Sequence, residues 1–135
     1  MYNKEKIKTR SEYLNGKKEG YYKGWYPDGN KQFERFYKNG QKVGKHIGWY
    51  KNNKKKFEIQ FNNKGNYNGF VKEWYINGNL SSFFNYLDGK ENGSQMMWQP
   101  NGKVIANYFT KNGERFGLIG LKKCYSISIK NEDFK

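Results

Sequence analysis

Few side chains in this sequence can do covalent or acid–base chemistry. The one histidine is His46 and the one cysteine is Cys124. A thiol–imidazole nucleophile needs the two within hydrogen-bond reach, and they stand far apart along the chain. A lone cysteine excludes an intrachain disulfide, and with a single histidine it cannot build a Cys/His metal cluster. Glu34 and Glu58 each follow a tryptophan by nine residues and could form a carboxylate pair of the glycosidase kind. The simpler reading gives each a Lys or Arg across a strand, worth a few tenths to about 1 kcal/mol. Asp28 and Asp88 precede glycines, where Asp serves the backbone of turns. No glycine-rich loop opens a helix ahead of Lys-Ser or Lys-Thr, so no phosphate loop is expected. These residues predict no catalytic site, no metal and no cofactor.

Binding chemistry is better represented. The 135 residues carry 26 Lys or Arg against 12 Asp or Glu, a formal charge of +14. Residues 31–64 hold ten of the basic residues and two Glu, more than half of that excess. Lys54-Lys55-Lys56 with Lys51 makes a basic hairpin tip, and Lys45 and Arg35 extend it. Such a patch suits an acidic protein surface and speeds encounter with it. It equally suits anionic phospholipid, at about 1 kcal/mol per basic residue near the surface. Lysines of this kind also keep exposed strand edges from aggregating. Basic residues among aromatics fit single-stranded nucleic acid as well, but the aromatics here follow a structural period, which makes that partner the less favoured one. Self-association stays open.

The period is the strongest feature of the sequence. Trp25, Trp49, Trp74 and Trp98 recur at intervals of 24, 25 and 24 residues. Five residues before each lies Gly20, Gly44, Gly69 or Gly93, and Gly117 continues the series. Each unit carries two turn signals, such as Pro27-Asp28-Gly29 and Asn39-Gly40. Two turns in 24 residues leave two strands of about six residues, an antiparallel hairpin meander. The second unit has one residue more, within 62–65. With a tight turn in each unit, alternation puts Trp25 with Tyr21, Lys23, Phe33, Arg35 and Tyr37, and Trp49 with Ile47, Phe57, Ile59 and Phe61. That Trp face is expected to be the better buried. Opposite it, Tyr26, Tyr50 and Tyr75 form an aromatic ladder beside Gly24 and Gly48. The ladder reads either as a binding groove or, preferably, as contact between neighbouring repeats.

The pattern N-G-x-x-x-G-x-x-x-x-W-Y-x-x-G, repeated over about residues 13–120, resembles the variant MORN repeat. In particular it resembles the bacterial YwqK-type antitoxin family. Asn53 replaces a repeat glycine, Gln99 replaces the Tyr after Trp98, and the last unit lacks its Trp. The resemblance implies an elongated antiparallel β-meander of tandem hairpins. It also implies protein–protein contact, with a cognate toxin as the partner of an antitoxin or immunity-type inhibitor. Toxins that attack nucleic acid are often basic, so the partner of this cationic chain should present an acidic or apolar surface.

The expected organisation is a basic N-terminal arm over 1–12, the repeat array over 13–121, and a closing strand and tail over 122–135. The first residues lack the apolar run of a secretory signal, and no stretch approaches the roughly 18 apolar residues of a membrane span. The expectation is therefore a cytoplasmic, non-catalytic, all-β binding module. Its alternative is peripheral attachment to anionic membranes through a basic hairpin face.

Overall fold

The computed structural model describes residues 8–118, with the backbone of 119 and 122–128. The chain is all-β. Among the described residues twelve strands form one antiparallel sheet, in the order β1-β2-β3-β5-β6-β7-β8-β9-β10-β11-β12, with the short β4 paired to β3. The strands are β1 (Lys8–Leu14), β2 (Lys17–Trp25), β3 (Lys31–Lys38), β4 (Gln41–Lys42), β5 (Gly44–Trp49) and β6 (Lys55–Phe61). They continue with β7 (Tyr67–Trp74), β8 (Leu80–Leu87), β9 (Lys90–Trp98), β10 (Val104–Lys111), β11 (Glu114–Ile119) and β12 (Lys122–Ser128). Each repeat contributes one hairpin. The arm expected over 1–12 gives way to strand from Lys8, because Lys8–Ser11 pair with Tyr22–Trp25. Residues 1–7 and the tail beyond Ser128 lie outside the described residues.

Two kinds of turn alternate. After each Trp, a five-residue loop closes by the hydrogen bond Tyr26 N–H to Asn30 C=O at 2.8 Å, repeated at Tyr50–Lys54, Tyr75–Asn79 and Gln99–Lys103. The other turns are two-residue loops. Asn39 and Gly40 both have positive φ, 54° and 83°, as a type I′ turn requires. The extra residue of the second unit converts one of these into the five-residue form. There Asn62 N–H donates to Asn66 C=O at 2.9 Å.

The sheet corrects the expected faces. Trp25 lies opposite Lys31 while Gly24 lies opposite Phe33, so Gln32 is an unpaired extra residue. Lys56, Ser81 and Ile105 occupy the same place in the next three hairpins. One inserted residue moves everything beyond it to the other face. Phe33, Arg35 and Tyr37 therefore share a face with Tyr22 and Gly24, not with Trp25. Phe57, Ile59 and Phe61 likewise leave Trp49 and join His46 and Gly48.

That His46 face is the better-buried one, contrary to the expectation for the Trp face. Tyr37, Val71, Ala106 and Tyr108 are buried on it, with His46, Ser82, Gln95 and Thr110. A chain of ring contacts crosses it from Tyr22 through Tyr37, His46, Phe61 and Tyr67 to Tyr86, with successive centroids 4.7–6.2 Å apart. With so many polar groups buried beside so few aliphatic ones, stability rests on rings meeting across strands and on satisfied hydrogen bonds.

Candidate functional site

The residues with chemical potential are engaged in structure. His46 Nε2 lies 3.2 Å from the Phe36 amide nitrogen, 2.9 Å from the Phe36 carbonyl oxygen and 3.2 Å from that of Val43. Burial pushes the His46 imidazole below its ordinary pKa, and Arg35 and Lys42 push the same way, against hydrogen bonds to Phe36 and Val43. The ring is therefore neutral at neutral pH. Its place is set by the junction between hairpins. Gly44, at φ 71°, lets the chain bow out opposite Phe36, which keeps the Val43 N–H on its carbonyl at 3.0 Å but has no regular partner in the ladder. The imidazole fills that gap. Cys124 lies in β12 opposite Gly117, seven places along the sheet from the strand that carries His46. The two are not brought together.

Glu34 and Glu58 share the Trp face, one strand apart, with Ile47 between them. Each is neutralised by lysine: Glu34 by Lys31 at 2.9 Å, Glu58 by Lys45 at 3.4 Å and Lys55 at 3.6 Å. Among the described residues no three His, Cys, Asp or Glu side chains converge as metal ligands.

The expected basic patch is divided. Lys45 and Lys55 meet around Glu58 on the Trp face. Lys54 Nζ donates to the Asn77 carbonyl of the next tip at 3.1 Å, Lys56 lies over the Tyr50 ring at 5.7 Å, and Lys51 is exposed in its loop. Arg35 is on the opposite face, over Phe33 at 4.5 Å. Tyr26, Tyr50 and Tyr75 do not line a groove. Their hydroxyls donate to the carbonyls of Trp49, Trp74 and Trp98 at 2.7, 2.7 and 2.8 Å, each tying one repeat to the next. The space beside Gly24 and Gly48 is filled by the Phe33 and Phe57 rings.

No family model matches the chain, and no curated protein matches it.

What the fold presents is a surface. Trp25, Trp49, Trp74 and Trp98 stand on one face at intervals of two strands, about 10 Å, and all are half-buried. Lys31 lies over Trp49 at 5.7 Å and Lys55 over Trp74 at 5.9 Å. Across the middle of this face the directly opposed residues run Arg10, Lys23, Glu34, Ile47, Glu58, Lys72, Phe83, Met96 and Asn107. The face is charged toward β1 and apolar at Phe83 of β8 and Met96 of β9. Sequence reasoning missed this gradient because it assigned the second strand of every hairpin to the wrong side. Among the described residues no helix is long and apolar enough to cross a membrane.

Proposed function

We propose that this chain is a cytoplasmic, non-catalytic module that binds a protein partner through the Trp face. The supporting observation is the division of labour between the faces. His46, Gln95 and the ring contacts of one face hold the sheet together, while the other spreads lysines and half-buried tryptophans over many strands. Aromatic side chains are over-represented where proteins meet, and charge chooses among partners. A partner matched to this face is acidic where it meets Lys23 and Lys72 and apolar where it meets Phe83 and Met96. Under the variant MORN-repeat reading, the partner is a toxin and the chain its antitoxin or immunity-type inhibitor.

The test is affinity capture from the cells that make the protein, followed by reconstitution of the recovered complex. A stoichiometric protein that loses affinity for a Lys23→Glu, Lys72→Glu variant supports the proposal. Recovery of no such protein, with sedimentation on acidic but not neutral liposomes, replaces it with membrane attachment.

A further inference from the structure

The outer strand departs from the charge pattern of the rest of the Trp face. Cross-strand neighbours there bring opposite charges together, as in Lys23–Glu34 and Glu58–Lys72. Arg10 of β1 instead lies directly opposite Lys23, and like charges so placed repel. Lys8 follows on the same face, opposite Trp25. Glu12 is the one carboxylate that β1 contributes to this face. Two shallow clefts of about 250 and 470 Å³ meet here, sharing Arg10 and Trp25. Among the described residues β1 has a neighbouring strand on one side alone. Alternate backbone N–H and C=O groups along its outer side therefore have no strand partner among the described residues.

We propose that β1 receives an extended acidic segment of a protein partner, added antiparallel as a further strand of the sheet. Backbone hydrogen bonds supply the affinity of strand addition, and alternate side chains supply the choice of sequence. Partner residues opposite Lys8 and Arg10 are acidic, and the residue opposite Glu12 is basic. All three project to the Trp face because side chains alternate along a strand. Read from its N-terminus, the added segment is Lys-x-Glu-x-Glu. Its middle Glu relieves the repulsion between Arg10 and Lys23. The same edge charges reject an apolar strand or a basic one, so the edge is selective as well as open. This inference rests on the protein-binding reading and gives it a place and a sequence preference.

The probe is a short fluorescent peptide containing Lys-Thr-Glu-Thr-Glu, titrated against the full chain by polarisation. Saturable binding is expected, weakened about tenfold or more by Arg10→Glu and restored when the peptide's middle Glu becomes Lys. N-methylation of the peptide's pairing amides should abolish it. Arg10 is exposed, so the variant should keep the parent's melting temperature, which separates lost binding from lost fold. A peptide that does not bind, that binds Arg10→Glu equally well, or that tolerates N-methylation overturns the proposal. A captured partner that binds Arg10→Glu with undiminished affinity overturns the edge site while leaving the protein-binding reading in place.

Discussion

The side-chain amide of Gln95 holds both backbone groups of Asn85. Its Oε1 accepts the Asn85 N–H and its Nε2 donates to the Asn85 carbonyl, each at 2.8 Å. Gln95 is fully buried, at 0 % exposure. Asn92-Gly93-Ser94 bow out opposite Asn85, as Val43-Gly44-Lys45 do opposite Phe36, and the amide stands in for the missing strand. His46 occupies the equivalent position two repeats earlier.

Gln95→Leu should therefore destabilise the fold by about 2–4 kcal/mol, since it strands a buried donor and a buried acceptor together. Urea unfolding measures the loss. Gln95→Glu should lose less at acid pH than at neutral pH, because only the protonated carboxyl can both accept and donate.

His46 makes stability depend on pH. Its folded pKa is lowered from the ordinary 6.5, so below that value the unfolded chain takes up a proton that the folded chain refuses. This contribution is complete above pH 6.5 and declines as the pH falls through the lowered folded value. His46→Gln should be at least as stable at pH 7, since one amide can serve both backbone groups of Phe36. It should also flatten the acid limb of a plot of Tm against pH.

The tyrosine ladder predicts small, additive losses. Tyr50→Phe removes the bond to the Trp74 carbonyl and should cost about 1 kcal/mol. Tyr26→Phe should cost the same at its own junction. The two hydroxyls donate to different carbonyls, so the double variant should lose about the sum. A much larger combined loss in denaturant unfolding would mean that the repeats are coupled beyond their neighbours.

Gly48 is required by contact. A methyl group there would overlap the Phe57 ring, and the equivalent Gly24 is covered by Phe33 in the same way. Gly48→Ala should cost about 1–3 kcal/mol through overpacking. Combining it with Phe57→Leu should cost less than the sum of the two changes in a double-mutant cycle.

These features differ in how far the sequence disclosed them. The meander was legible because each turn type demands particular residues: Asn-Gly and Asp-Gly need positive φ, and Pro27-Asp28-Gly29 sets a type I geometry. The buried face was not legible. The residue that reverses it is Gln32, Lys56, Ser81 or Ile105 in successive repeats, and an unpaired position on a bulge imposes no side-chain type. The repeat glycines were visible as a cadence, but their role in bowing one strand out from its neighbour needed the register. The clasp left one trace in the sequence: two polar residues, His46 and Gln95, at the position where the third repeat has the buried Val71. The basic cluster read well as charge and poorly as a patch, since cross-strand partners distribute Lys45, Lys54, Lys55, Lys56 and Arg35 to different tasks.

The Glu91–Arg115 pair should behave unlike the exposed pairs. Arg115 Nη2 and Nε donate to the two carboxylate oxygens of Glu91 at 2.8 and 3.2 Å, and the Thr110 hydroxyl adds a bond at 2.9 Å. Their side chains are only 11 % and 19 % exposed. Burial, and then the Glu91 charge, push the Tyr108 hydroxyl well above its ordinary pKa, so it stays a donor to this carboxylate at 3.3 Å. Glu91→Ala takes a carboxylate away from a mostly buried guanidinium and should cost about 3 kcal/mol. Breaking the more open Lys31–Glu34 pair by Glu34→Ala should stay within about 1 kcal/mol, because Lys31 remains solvated. In a linear array each unit contacts its neighbours alone, so the damage should be local. Amide exchange in Glu91→Ala should quicken across β9, β10 and β11 and remain at the parent rate in β2 and β3. Uniform quickening through the whole sheet would show that the repeats unfold as one cooperative unit.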